Sequence, residues 1–384
     1  MLLTADTVLT GRELLRPGWI AVSGDAVDAV EPGAPPRQPD RDLGAVTVVP
    51  GFVDTHVHGG GGTNFSNGTR TDTAAATALH VRHGTTTMIA SLVTAAAPEL
   101  LRQIRELTGH VRSGLIAGIH LEGPWLAAER CGAHDPALMR DPYPAELDRL
   151  LDAGDGAVRM ITLAPERPGA LEAIRRLVDR GVVAAIGHTD ATYEQTCAAI
   201  DAGATVATHL FNAMRPINHR EPGPVIALLE DDRVTVELIA DGVHVDPALY
   251  RHVCRSAGPD RVALVTDAIS AAGMADGDYE LGAVLITVDD GVARVAGAST
   301  IAGSTATMDR QFGFAVAHSG LVGDEALMAA VRQTSINPAR AVGLRCPALT
   351  PGAIANLVVL NADLAVEGVM RQGNWVVEPM KEER

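Results

Sequence analysis

Eight apolar strand-like segments alternate with stretches of helical periodicity over residues 49–270. They are "VPGFVDTHVHG", "TTTMIASLVT", "GLIAGIHLEGP", "VRMITLAPE", "VVAAIGHTDA", "TVATHLFNAM", "TVELIADGVHV" and "RVALVTDAIS". The intervening "TDTAAATALHVRH", "PGALEAIRRLVDR" and "PALYRHVCRSAG" read as helices. Continuous apolar strands separated by helices require a parallel sheet buried on both faces. Eight such units predict an α/β fold, a (β/α)8 TIM-type barrel. An open doubly wound sheet is the competing arrangement, but the chain has no Gly-rich dinucleotide turn to support it.

The ends read differently. Residues 1–48 carry short strands and turn signals such as "SGD" and "EPGAPP", and residues 346–384 return to strand-like alternation in "ANLVVLNADLAVEGVMRQGNWVVE". Both ends are expected to share one small β-sandwich domain flanking a barrel of residues 49–345. A β-hairpin insertion around the "DDG" turn is predicted near 278–298, followed by helical stretches near 305–318 and 324–334.

Composition removes several classes. A hydrophobic content of 47% excludes disorder, and a formal net charge of −16 disfavours nucleic acid and anionic membranes. No apolar stretch is long enough to cross a bilayer, and the start lacks a secretory pattern, so a cytoplasmic protein is expected. Cys131, Cys197, Cys254 and Cys346 are scattered without a CxxC pair, which disfavours a zinc knuckle or disulfide framework. The single lysine is Lys381, so Schiff-base chemistry and a P-loop are disfavoured, and any phosphate falls to arginine, histidine or backbone amides.

Polar residues at the C-terminal ends of barrel strands carry catalysis in this architecture. The first strand ends in His56 and His58, which share a face because side chains alternate along a strand. The third ends in Glu122, the fifth in His188 and the sixth in His209. The seventh carries Asp241 and His244, and the eighth ends in Asp267. Singly, each has a bland reading: a satisfied core histidine, a helix cap, a turn. Together they form a mixed imidazole–carboxylate set without thiolate, suited to a divalent metal: zinc first, or iron, manganese or cobalt. One or two ions per subunit are expected. His56, His58 and Glu122 are assigned to one; Glu122, His188 and His209 to the other. With no lysine near the fourth strand, Glu122 is the available bridge. A metal-activated water beside Asp267 as general base, later general acid, implies hydrolysis of an amide or related bond.

The strings "PGFVDTHVHG", "GIHLEGPWL", "GHTDATYEQT", "THLFNAMRPINHREPG", "ELIADGVHVDP", "LVTDAISAAG" and "IAGSTATMD" resemble the amidohydrolase superfamily, and within it the N-acetylglucosamine-6-phosphate deacetylases. The resemblance spans almost the whole chain. It implies a metal-dependent homodimeric enzyme of amino-sugar catabolism and cell-wall recycling, which releases acetate from an amino-sugar phosphate. It implies that Glu122, His188 and His209 are metal ligands and Asp267 the catalytic acid/base. His134, next to Ala133, would meet the acetyl carbonyl or its oxyanion. Asn212 and Ala213 would contact the sugar, and Arg220 and His244 the 6-phosphate, with Arg220 reaching the partner's site; Asp241 at the seventh strand end is expected to bind substrate as well. Ile301, Ala302 and Gly303 would form a further substrate-contact segment. Some members lack the His-x-His pair; this chain has it, which favours two sites. The loop "LAAERCGAHDP" reads as a lid carrying Cys131. The alternatives are another amidohydrolase acting on a cyclic amide or dipeptide, and a non-catalytic sugar-phosphate-binding metal protein.

Overall fold

The eight apolar segments form one parallel sheet in a computed structural model that describes residues 1–379. Its strands, in chain order, are Phe52–Val57, Thr85–Val93, Gly118–Glu122, Val158–Leu163, Val183–Ile186, Val206–Ala207, Thr235–Leu238 and Val262–Leu264. Neighbours in sequence are neighbours in the sheet throughout. Backbone bonds from His58 N to Ala268 O (2.8 Å) and from Asp267 N to His56 O (2.8 Å) bring the last strand against the first and close the barrel. Every residue of the first and third strands is buried, as a parallel sheet packed on both faces demands.

Local signals set where the surrounding helices begin. Thr69 caps Arg70–Arg82 by accepting from Asp72 N, and Thr192 with Gln195 forms a reciprocal capping box for Tyr193–Asp201. Asp246 caps Pro247–Ala257, with Pro247 in the first turn, where its missing N–H costs nothing. The apolar stripes of Ala97–Arg112, Pro144–Gly154, Ala170–Asp179 and Pro247–Ala257 bury Leu100, Leu150, Leu177 and Val253 completely against the barrel. Leu150→Ala is expected to lower unfolding free energy by about 2–5 kcal/mol through lost burial and a residual cavity. Urea unfolding at unchanged m-value checks it.

The chain ends build a small β-sandwich. One sheet orders Asn374–Val377, Val366–Arg371, Leu357–Leu360, Thr47–Pro50, Thr7–Leu9 and Leu14–Leu15; the other orders Ala26–Pro32, Gly18–Ser23, Leu2–Ala5 and Arg41–Asp42. Leu3, Val8, Ile20, Val48, Leu357 and Val359 fill the space between them. Thr47–Pro50 pairs antiparallel with Leu357–Leu360, so the passage into the barrel falls at Gly51, slightly later than residue 48. A side chain at Gly51 would lie 2.2 Å from Thr86 Oγ1, which is why the crossing needs glycine.

The insertion after the eighth strand is a three-stranded meander, not a hairpin. Gly277–Leu281, Val284–Asp289 and Val292–Val295 pair antiparallel in that order. The "DDG" turn is present, but a second tight turn at Gly282 adds a strand that the short "DYEL" alternation barely announces. Leu281 and Ile286 of this sheet pack on Ile269 and Ala302, beside the C-terminal mouth of the barrel. Among the described residues no helix is long and apolar enough to cross a membrane.

Candidate active site

Asp54, His56 and His58 project from one face of the first strand towards the C-terminal mouth, at the two-residue spacing of a strand. Glu122 is the last residue of the third strand. His188, His209 and Asp267 follow the fifth, sixth and eighth strands in left-handed backbone conformations, with φ of 48°, 27° and 48°. Non-glycine residues avoid this region. Its recurrence at three strand ends shows a backbone held away from its local preference so that three polar side chains turn inward.

These side chains converge on Glu122. Its Oε1 lies 3.0 Å from His188 Nε2 and 2.9 Å from His209 Nε2, which are themselves 3.2 Å apart. Its Oε2 lies 3.1 Å from His58 Nε2 and 3.5 Å from His56 Nε2, and those two nitrogens are separated by 3.1 Å. Asp267 Oδ1 joins the second group, 3.1 Å from His58 Nε2 and 3.4 Å from His56 Nε2. His56, His58, Glu122 and Asp267 thus form one set of possible ligands, overlapping at Glu122 with a second that contains His188. Donors bonded tetrahedrally to an ion at about 2.0–2.2 Å stand about 3.3–3.6 Å apart, close to the spacings here. Nitrogen facing nitrogen across 3.1–3.2 Å, beside a carboxylate, is also poorly served by protons alone. The residues fit a divalent cation.

Ring orientation separates ligands from donors. His188 Nδ1 points at the carbonyl of Arg130 (2.9 Å), so Nδ1 carries the proton and Nε2 offers a lone pair towards Glu122. His134 is the reverse. The backbone N–H of Thr94 donates to its Nδ1 (3.2 Å), so the proton sits on Nε2, 3.3 Å from Glu122 Oε2. His134 is therefore a hydrogen-bond donor into the site. Burial, against partial compensation by Glu122, pulls its pKa down to about 4, which keeps it neutral.

Burial alone would neutralise the carboxylates here, but the imidazoles prevent it. Burial opposes ionisation of Asp267, yet His56 and His58 outweigh it and hold the carboxyl down at about 2. The same competition holds Glu122 well below the usual carboxylate range, with His56 and His134 outweighing desolvation. His56 in turn is raised despite its burial, because Glu122 and Asp267 face it. Both carboxylates are anionic at neutral pH and draw positive charge to one point.

Beneath this layer lies a second that the strand-end reading missed. Asp54 accepts from Thr266 Oγ1 (2.5 Å) and from the backbone of His56 (3.2 Å); burial pushes its pKa up to about 7. Glu237 Oε2 lies 3.6 Å from His56 Nδ1, and its other oxygen accepts from Thr55. His120 packs edge-on against His56 at 4.6 Å, held by Ser91 and Thr162. Sequence signals existed: Asp54 continues the two-residue spacing of His56 and His58, and Glu237 is a lone charge inside an apolar strand.

The mouth opens into a cavity of about 420 Å³. Ala133, His134, Asn212 and Ala213 line one side; His244, Ile301 and Gly303 line another, with His58, Glu122, His188, His209 and Asp267 at its base. Three expected substrate residues stand elsewhere. Ala302 is wholly buried behind the wall, since its neighbours alternate outward. Asp241 does not face the cavity; its Oδ2 accepts from His244 Nδ1 (2.7 Å) and orients that ring. Arg220 is exposed, outside the cavity of its own chain, with its backbone bonded to Asn218. Cys131 follows a short turn whose Arg130 is tied to Asp190 (2.8 Å). The next residue, Gly132, has φ 58°, and a Cβ there would lie 3.1 Å from His188 Cε1. Gly132→Ala is expected to shift that ring and lower kcat/KM by about 10- to 100-fold, read by steady-state kinetics beside metal content.

Residues 47–376 match the model of the Amidohydrolase family. The chain is 37% identical over 379 residues to an N-acetylgalactosamine-6-phosphate deacetylase of Escherichia coli O157:H7, covering 95% of this chain and 98% of that protein. It is 38% identical over 355 residues to the human N-acetylglucosamine-6-phosphate deacetylase, covering 88% of this chain and 85% of that protein. Among solved structures, the N-acetyl-D-glucosamine-6-phosphate deacetylase of Mycobacterium smegmatis superposes with a TM-score of 0.98 at 66% identity, covering 98% of this chain and 99% of that one. That structure is of a D267A mutant in complex with N-acetyl-D-glucosamine-6-phosphate.

Proposed function

The chain belongs to the amidohydrolase family, and from that membership and the site geometry we infer that it hydrolyses the acetamide of N-acetyl-D-glucosamine 6-phosphate to glucosamine 6-phosphate and acetate. It is a hydrolase; a role in amino-sugar catabolism and cell-wall recycling follows from this substrate. The observation that carries the reading is Asp267 Oδ1 placed 3.1 Å from His58 Nε2, at the base of a cavity that His134 also lines.

His56, His58 and Glu122 would hold one divalent cation and Glu122, His188 and His209 a second, and such a cation would supply Lewis acidity and a lowered water pKa. Zinc would suit this donor set first, ahead of iron, manganese or cobalt, and Glu122 is the residue that the two donor groups have in common. Asp267 takes the proton of the attacking water and returns one to the leaving amine. His134 donates to the acetyl oxygen as negative charge develops there, from a ring locked in the required tautomer by Thr94. Ala133, Asn212 and Ala213 bound the sugar, and Ile301 and Gly303 face it across the cavity. His244, oriented by Asp241, meets the 6-phosphate. Arg220 projects outward and serves the site of a partner subunit in a homodimer, and the enzyme works in the cytoplasm.

Acetate release from N-acetylglucosamine 6-phosphate, its galacto epimer, the unphosphorylated sugar, a cyclic amide and a dipeptide, on protein of measured metal content, tests this. The phosphorylated gluco substrate should have the highest kcat/KM. A preference for the cyclic amide or dipeptide, or metal binding without turnover, would overturn the reading; preference for the galacto epimer would reassign the sugar and keep the chemistry. His244→Ala should raise KM for the phosphorylated sugar by about 10- to 100-fold with a small change in kcat, the worth of one charge-assisted bond.

A further inference from the structure

A second cavity, of about 370 Å³, lies at the opposite end of the barrel, at its seam with the small β domain. Thr86, Thr87 and Arg159 enter it from the starts of the second and fourth strands. Arg345 and Cys346 come from the connection that follows the last helix, and Arg371 from the small domain. Three guanidiniums thus surround one space, and no aspartate or glutamate among the described residues lines it.

That is unusual for a chain with 47 acidic and 31 basic residues. Elsewhere, partly buried arginines meet carboxylates: Arg140 pairs with Glu146, Arg167 with Asp141 and Arg176 with Asp148. Arg159 Nε is buried without a hydrogen-bond partner among the described residues. Among the described residues Arg371 donates to the carbonyls of Gly114 (3.0 Å) and Leu115 (3.1 Å), and Arg345 to that of Gly352. Burial without a compensating carboxylate lowers the pKa of Arg371. Arg159 and Arg371 are half-buried and Arg345 stands at the open rim, so the group presents positive charge to one partly enclosed space, and an anion would complete it. Guanidinium forks suit phosphoryl oxygens, and the hydroxyl of Thr87 and the amide of Gln372 add neutral hydrogen-bonding groups.

We propose that this cavity, formed by Arg159, Arg345 and Arg371, binds a small phosphorylated metabolite at a site separate from the catalytic mouth. The ligand bridges barrel, connection and small domain, so its binding stabilises their junction.

The test uses the full-length, metal-loaded protein, with glycerol 3-phosphate and inorganic phosphate as separate probes. Two cysteines report the two ends: Cys346 lines the proposed site, and Cys131 adjoins the catalytic cavity. Millimolar glycerol 3-phosphate should slow iodoacetamide alkylation of Cys346 by at least about threefold, and should do so equally in His244→Ala. Calorimetric affinity at this site should fall by at least about tenfold in Arg159→Met/Arg345→Met, with deacetylation unchanged. Equal protection by inorganic phosphate would mean that the phosphoryl group alone is recognised; weaker protection would mean that the organic part contributes. Unchanged alkylation of Cys346 under both probes would overturn the proposal, as would undiminished binding in the double variant or loss of Cys346 protection in His244→Ala.

Discussion

Asp267→Asn is expected to lower kcat for acetate release by about 10²- to 10⁴-fold, the contribution of a positioned general base. The substitution keeps the shape of the side chain and removes its basicity. Asp267 suits this role because His56 and His58 hold its carboxyl down at about 2, so it is ionised at neutral pH and able to accept a proton. Its left-handed backbone, with φ 48°, is fixed by bonds from Asp267 N to His56 O and from Ser304 N to Asp267 O, and asparagine tolerates that region well. The fold and the metal content should therefore survive. Metal analysis beside single-turnover kinetics separates the outcomes: normal turnover would remove Asp267 from the chemistry, and loss of metal would make it chiefly a ligand.

Glu122→Ala is expected to be at least as severe, for a different reason. Five imidazole nitrogens lie within 2.9–3.5 Å of this one carboxylate, from His56, His58, His134, His188 and His209. Without it, rings from the first, fifth and sixth strands face one another with Asp267 as the nearest compensating charge. Metal content should fall below one ion per chain, and turnover should fall on the order of 10³-fold or more, because the lowered water pKa depends on the ion. Glu122→Gln, which keeps shape and loses charge, should fall between the two. Full metal occupancy in Glu122→Ala would dismiss its role as the shared ligand.

Much of this was legible without coordinates. The two-residue spacing of His56 and His58 fixed their common face, because a strand allows no other arrangement. Alternation of apolar strands with helices predicted the barrel, and with it the side on which Glu122, His188, His209 and Asp267 would lie. The extra strand of the insertion, Gly277–Leu281, was not legible, since five residues of weak alternation carry too little signal before a turn. Nor was the turning of Asp241 away from the cavity, because at a strand end the side chain follows whichever hydrogen bond the loop supplies, here His244.

The sequence by itself determined the eight barrel strands, which residues stand at their C-terminal ends, and that a lysine-poor chain must hold phosphate by other means. Those follow from local periodicity and from side-chain chemistry. Only the tertiary structure decided that His134 joins the four other rings around Glu122, that Asp267 touches His58, and that His134 donates where His188 accepts. Those depend on ångström-scale distances between residues far apart in the chain, which barrel closure and backbone partners such as Thr94 and Arg130 set.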